Sequence, residues 1–294
     1  MRMRAIFMGL AAAAALVLPA HAASDWNAVG KALGKTGSVQ AGGVYRVGLP
    51  RSDLKVTLDG VAIKPSLALG SWVAFRDMGN QAMVMGDLVL TQSEVNPVMS
   101  VLEENGIQIT ALHNHLLRSS PATMYMHIDG HGDAVKLAAA IHAALAKSQT
   151  PMGAAPPPGP PKPLGLDQAM IDKTLGAKGT VNGGVLAYSI PRAEAPSAHG
   201  VPIPPPLGSA IGINFQPTGG GKAAIAGDLV LTADEVNPVI KALRAGGIEV
   251  TAIHNHMLDD EPRLFFMHFW ANADAGRLAR TLRSALDHVK IAGR

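Results

Sequence analysis

The chain contains itself twice. "GDLVLTQSEVNPVMSVLEENGIQITALHNHL" (86–116) aligns without gaps on "GDLVLTADEVNPVIKALRAGGIEVTAIHNHM" (227–257), with 19 of 31 positions identical at a constant offset of 141 residues. Downstream the register holds and brings Pro121 onto Pro262 and His127 onto His268. Upstream it weakens but persists through "GGVYRVGLPRSD" and "GGVLAYSIPRAE", and Phe75 meets Phe215 after small gaps. Two copies of so long a unit are too few for a solenoid and mean a duplicated domain. Between them runs "TPMGAAPPPGPPKP", a Pro-rich stretch that favours an extended, semi-rigid linker. The expected organisation is a signal segment over 1–22, a first domain over 24–147, a linker over 148–163 and a second domain over 164–294.

The signal reading rests on the basic "MRMR", the apolar "AIFMGLAAAAALVLPA" and the small-x-small "AHA" before Ala23. No other apolar run approaches the roughly 20 residues a spanning helix needs, so an exported chain free of the membrane after cleavage is expected, periplasmic or secreted. The chain has no cysteine. That excludes disulfides, thiolate metal sites, a cysteine nucleophile and a lipid-modified cysteine. A formal charge of +3 with no dense basic run gives no footprint for nucleic acid.

Each copy reads as α+β: a small, mostly antiparallel sheet with two main helices. "VYRVGLP", "WVAFRDM" and "MVMGDLVL" read as strands. The last ends where "TQSE" matches a T-x-x-E capping box, which starts a helix that Gly106 stops and in which Pro97 sits early enough to be tolerated. "IQITALHNHL" and "MYMHIDG" read as strands joined by a turn at Pro121, and "DAVKLAAAIHAALAK" as an amphipathic helix. The order β-α-β-β-α admits a ferredoxin-like or split β-α-β arrangement.

The duplication also filters the eleven histidines. His113, His115 and His127 recur as His254, His256 and His268, whereas His131 aligns with Asn272, His142 with Arg283, and His21, His199 and His288 have no histidine counterpart. On a strand, the i and i+2 side chains of an H-x-H share one face. With the hairpin centred near Pro121, His115 would lie opposite His127, where facing residues are about 4.5–5.5 Å apart. Three imidazoles then converge in each copy, as the H-x-H-x11-H spacing predicts. Such a triad suits zinc or another first-row divalent ion with a position left open. Without a bulge, Ile107, Ile109 and Ala111 would continue that face as an apolar wall.

A metal-free pocket for an anionic or hydroxylated ligand would use the same residues. Glu94 and Glu235, retained at the end of T-x-x-E, suit helix capping first and a fourth ligand or general base second. Asp87 and Asp228 follow a glycine and fit a turn; Asn114 and Asn255 point away from their neighbouring histidines. The thirteen methionines raise copper(I), but Met83 and Met85 align with Ala224 and Ala226, and Met126 and Met267 face the other side of the strand from the triad. "HNH" lacks the ββα-metal context and basic surroundings of the nuclease motif that shares its spelling.

With "GDLVLT..EVNPV" followed by H-N-H and the downstream histidine in both copies, the chain resembles the LppY/LpqO family of exported bacterial proteins. The resemblance implies export and bacterial origin but no reaction. Its namesakes look like lipoproteins, an anchor that this cysteine-free chain lacks. Three functions follow from the residues. The first is a tandem-domain protein that binds a divalent metal, zinc above others, or a small ligand held by it. The second is a zinc-dependent hydrolase, since an open three-histidine site lowers the pKa of bound water toward about 7. The third is a metal-free binding module of the cell envelope, with Trp270 as a stacking platform.

Overall fold

The computed structural model describes residues 24–153 and 163–293, so the signal expected over 1–22 and the Pro-rich centre of the expected linker lie outside the described residues. The first half runs α1 (Trp26–Leu33), β1 (Ser38–Gln40), β2 (Val44–Pro50), β3 (Thr57–Leu58), β4 (Val61–Ala62), α2 (Pro65–Ala68), β5 (Gly70–Asp77), β6 (Ala82–Thr91), α3 (Gln92–Glu104), β7 (Gln108–His113), β8 (Thr123–Gly132) and α4 (Ala134–Leu145). The second repeats the order: α5 (Gln168–Leu175), β9 (Thr180–Asn182), β10 (Val185–Ile190), β11 (Ser197–Ala198), β12 (Val201–Pro202), β13 (Ile211–Gly219), β14 (Lys222–Leu231), α6 (Ala233–Ala245), β15 (Glu249–His254), β16 (Asp260–Glu261), β17 (Phe265–Asp274) and α7 (Ala275–Leu286). A 3-10 turn at Pro205–Leu207 takes the place of α2.

Each half is α+β and builds a six-stranded, wholly antiparallel sheet, ordered β1-β2-β5-β6-β8-β7 and β9-β10-β13-β14-β17-β15. Because β8 lies between β6 and β7, the unit β6-α3-β7 is a split β-α-β. Thr91 and Thr232 start α3 and α6 with complete capping boxes, and Gly106 leaves α3 at φ 73°. Among the described residues no helix is long and apolar enough to cross a membrane.

Strand alternation gives each sheet two buried faces. Leu88, Leu90, Met126 and Ile128 pack outward with Val29, Leu102 and Ile141 of the helices. On the other face stand Met85, Asp87, Val89, Tyr125, His127 and Asp129, away from the core of α1, α3 and α4, with Tyr125 donating to Ala68 O of the short α2 at 2.6 Å. The second half covers much of that face, and the closure is reciprocal. Leu58, Ile63 and Leu67 of the β3–α2 segment pack on Val185, Ala224 and Ala226 of the second sheet. Ala198, Ile203 and Leu207 of the β11–β12 segment share a core with Val44, Ala74 and Met85 of the first. Fully burying each such leucine or isoleucine is worth about 1.5–3 kcal/mol, so the halves are held as one body by a swapped pair of wedges. Gln216 fixes one wedge by accepting from Lys64 N at 2.9 Å and donating to Ala62 O at 2.7 Å.

Candidate metal centre between the two halves

The edge strands β7 and β15 meet across the interface, where the H-N-H stretches interlock. Each edge strand carries a bulge, at Thr110 and at Thr251. Asn114 Nδ2 donates to Thr251 O at 3.1 Å, and Asn255 Nδ2 to Thr110 O at 2.8 Å. In return Thr110 Oγ1 donates to His256 O at 2.7 Å, and Thr251 Oγ1 to His115 O at 2.6 Å. Thus "T-A-x-H-N-H" is a reciprocal clasp as well as a histidine motif, and the asparagines hold the opposite half.

This geometry alters the expected site in three ways. The strands end at His113 and His254, so His115 and His256 stand beyond them in irregular backbone. His127 faces Ala111, while His113 faces Tyr125, so His115 is not opposite His127. The bulge turns Ile109 to the helix-covered face and leaves Ala111 and His113 on the interface. There are consequently not two separate three-histidine pockets. All six imidazoles form one cluster between the halves, as three cross-half pairs: His113 on His254 with centroids 3.5 Å apart, His115 on His268 at 3.5 Å, and His127 on His256 at 3.7 Å.

Two carboxylates complete it. Asp87 and Asp228 lie within β6 and β14, paired with His127 and His268, and not at a turn. Asp87 Oδ2 is 3.9 Å from His115 Nε2, Asp87 Oδ1 3.9 Å from His127 Nδ1, and Asp228 Oδ1 3.8 Å from His268 Nδ1. The glycine before each lets neighbouring strands close up. A Cβ on Gly227 would stand 2.1 Å from Gly212 O, and one on Gly86 2.9 Å from Trp72 O.

Burial dominates the electrostatics. It pulls His113 down to about 4 and His254 and His256 to about 3, and holds His115, His127 and His268 well below their ordinary value with help from neighbouring histidines. Burial also pushes Asp87 up to about 7 against the pull of Arg46, and Asp228 up with added repulsion from Asp87. Left to itself, the cluster keeps its imidazoles neutral, beside carboxyls that burial shifts toward the protonated form.

Neutrality leaves its hydrogen bonds unbalanced. His254 Nδ1 lies 2.6 Å from Asn255 O, and His268 Nδ1 2.9 Å from Gly227 O. A carbonyl only accepts, so both Nδ1 atoms carry the proton and both Nε2 atoms carry lone pairs. Those lone pairs face each other across 2.8 Å. In the first half His113 Nε2 and His127 Nε2 are also 2.8 Å apart, with His113 Nδ1 committed to Asn114 O at 3.0 Å. Asp87 Oδ1, His115 Nε2, His127 Nδ1 and Asp228 Oδ1 are buried without a hydrogen-bond partner.

A divalent ion answers this pattern. Two imidazole nitrogens on one tetrahedral zinc stand about 3.3 Å apart, close to the distances here. Ligand atoms of His113, His127 and His254, of His113, His115 and His268, and of Asp228, His254 and His268 lie within 4.8 Å of one another in each group. The donor set of imidazoles and carboxylates, without thiolate, suits a first-row divalent cation. A cavity of about 990 Å³ reaches the cluster at His115, His256, Asp87 and Asp228, with Trp72, Arg46 and Lys64 among its other walls.

Other sequence candidates lie elsewhere. Glu94 accepts from Thr91 N and Gln149 N and pairs with the buried Arg51 at 2.8 Å; Glu235 repeats this with Thr232, Lys290 and Arg192 at 2.6 Å. Both carboxylates are committed to caps and ion pairs outside the cavity lining. Trp270 is 2% exposed and donates to Asp59 Oδ2, so it offers no open stacking face. Met126 and Met267 pack in the helix-side cores. Asp87, Asp228, Asn114 and Asn255 are the site residues that motif reasoning passes over, and their retention in both copies is the signal that marks them.

Duplicated α+β units closing over a shared histidine–carboxylate cluster define a two-domain protein with the potential to hold metal. The chain belongs to the family described as "Domain of Unknown Function (DUF1259)", which matches residues 27–147 and again 169–288. No curated protein matches it. Two solved structures show a weak likeness. One is a trimeric bacterial microcompartment shell protein, PduB, 13% identical over 86% of this chain and 90% of that one, with a TM-score of 0.22. The other is EtuB from Clostridium kluyveri, 9% identical over 85% and 88%, with a TM-score of 0.21. Likeness at this level says nothing about the activity of this chain.

Proposed function

We propose that this is an exported, LppY/LpqO-like metal-binding protein of the bacterial envelope. Its cluster takes two divalent ions, for which zinc is the best-suited element, through His113, His115, His127, His254, His256 and His268 with Asp87 and Asp228. The cavity beside the cluster then admits a ligand to the ions. The observation that carries this reading is the opposed pair of Nε2 atoms of His254 and His268, 2.8 Å apart with both Nδ1 atoms already donating. Burial makes a bridging proton costly there, whereas a cation accepts both lone pairs. Elemental analysis of protein purified without added metal should find close to two ions per chain, and H127A/H268A should lose them. Protein that is isolated metal-free and takes up no zinc at neutral pH overturns the reading.

A second reading, metal-dependent hydrolysis of an anionic substrate, draws on Arg46 and Lys64 lining the cavity that reaches the cluster. A panel of ester, amide and phosphoester substrates tests it: turnover that zinc restores to stripped protein, and that H127A/H268A abolishes, is the expected result. Turnover unaffected by stripping excludes it.

A further inference from the structure

The two-fold likeness of the halves breaks at the tips of two equivalent turns. The β3–β4 turn carries Asp59 and Gly60 at φ 49° and 78°, and the β11–β12 turn carries His199 and Gly200 at φ 51° and 74°. Each turn tip reaches the same position on the opposite sheet. Asp59 Oδ2 accepts from Trp270 Nε1 at 3.0 Å, while His199 Nε2 lies 3.2 Å from Asp129 Oδ2. Trp270 and Asp129 are equivalent in the repeat, as are Asn272 and His131. On one side, then, the contact is a carboxylate on an indole. On the other it has become a carboxylate between two imidazoles.

We infer that Asp129, His131 and His199 form a separate site for one first-row divalent cation, present on this side of the molecule only. His131 Nε2 is 3.3 Å from Asp129 Oδ1, and the imidazole rings stand at 90° with centroids 5.0 Å apart. Ligand atoms of the three lie within 4.8 Å of one another. Two ligands bound to one such ion at about 2.1 Å are roughly 3.0–3.4 Å apart, so little movement is needed. Asp129 is 2% exposed, and its Oδ1 has no hydrogen-bond partner, which aims an unsatisfied buried acceptor at the site. The histidine side chains are 32% and 34% exposed, so an ion can enter from solvent. Two imidazoles and one carboxylate leave coordination positions open, the donor set of sites that bind exogenous ligands on iron(II), manganese or zinc. Since His199 comes from the second half and the other two from the first, the ion would also staple the halves together.

The test uses the full chain, stripped with chelator and titrated with cobalt(II) by equilibrium dialysis and visible absorption. H131A/H199A should bind one cobalt fewer than the unaltered protein. H113A/H254A, which disables the central cluster, should keep that one equivalent, and adding H131A/H199A to it should remove it. Equal cobalt binding with and without His131 and His199 overturns the inference and leaves an ordinary His–Asp–His contact. Should H113A/H254A not fold, the comparison of H131A/H199A with the unaltered protein decides alone, because both histidines are exposed and their removal leaves the core intact. Loss of cobalt in H113A/H254A but not in H131A/H199A would uphold the central cluster and reject this site.

Discussion

His113 lies flat against His254, ring centroids 3.5 Å apart and planes 17° from parallel, although the two belong to different copies of the repeat. Each ring also stands 5.2 Å from the far half's third histidine, His268 or His127. The site is therefore a property of the pair of domains. His113→Ala is expected to depress occupancy of both ions, by at least the roughly 10–100-fold that losing a partner behind a ligand costs. Zinc titration with a competing chelator reads this out. A variant that loses one ion and holds the other with unchanged affinity would mean two independent sites.

The asparagine clasp should show as stability. Asn114→Ala removes the donor that satisfies Thr251 O in the interface, and leaving such a group unmatched costs about 1–3 kcal/mol. Asn255→Ala does the same to Thr110 O. Urea denaturation of the metal-free protein should give a lower midpoint for each variant with an unchanged slope. Unaltered midpoints would mean that water replaces the clasp at no cost.

How much of this can be read from the sequence follows from which physical relations are local. The capping boxes at Thr91 and Thr232 are, because a cap is settled within four residues. The six histidines are legible through the duplication, since repetition separates constrained positions from incidental ones. The way they meet is not, because that depends on a bulge at Thr110 and on a strand that stops one residue before Asn114. Asp87 reads as a turn residue until β6 is seen to run through it to Thr91. The same filter that finds the six histidines hides His131 and His199, since a feature built on one side only is removed by asking what both copies share.

Two buried ion pairs, Arg51–Glu94 and Arg192–Glu235, lie outside the lining of the cavity. Burial pushes Glu94 and Glu235 up, but hydrogen bonds and charge from Arg51 and Arg192, with backbone donors, outweigh it and hold both carboxyls below their ordinary value. A carboxyl lowered on folding contributes stability that is complete above the unfolded pKa near 4.3 and is lost as pH falls through the folded value. The melting temperature should accordingly fall steeply below about pH 4. Glu94→Gln leaves Arg51 buried with one partner fewer, a change that costs about 3–5 kcal/mol, and should flatten part of that acid slope while metal content stays at the unaltered level. A metal loss in folded Glu94→Gln protein would place this carboxylate in the site after all.

Asp87→Asn should behave in the opposite sense. Asp87 is buried, its Oδ1 has no hydrogen-bond partner, and burial holds its carboxyl up at about 7, so the metal-free fold carries a group it would be better without. Replacing it with an uncharged amide of the same shape should leave the metal-free protein as stable as before or more so. The stabilisation that zinc adds should shrink, because a ligand at a hundred times its dissociation constant contributes about 2.7 kcal/mol and a tenfold weaker one correspondingly less. Melting curves with and without zinc measure both quantities on one sample. If Asp87→Asn lowers the melting temperature of stripped protein and leaves the zinc increment intact, Asp87 serves packing between the sheets, and the eight-donor description of the cluster loses that member.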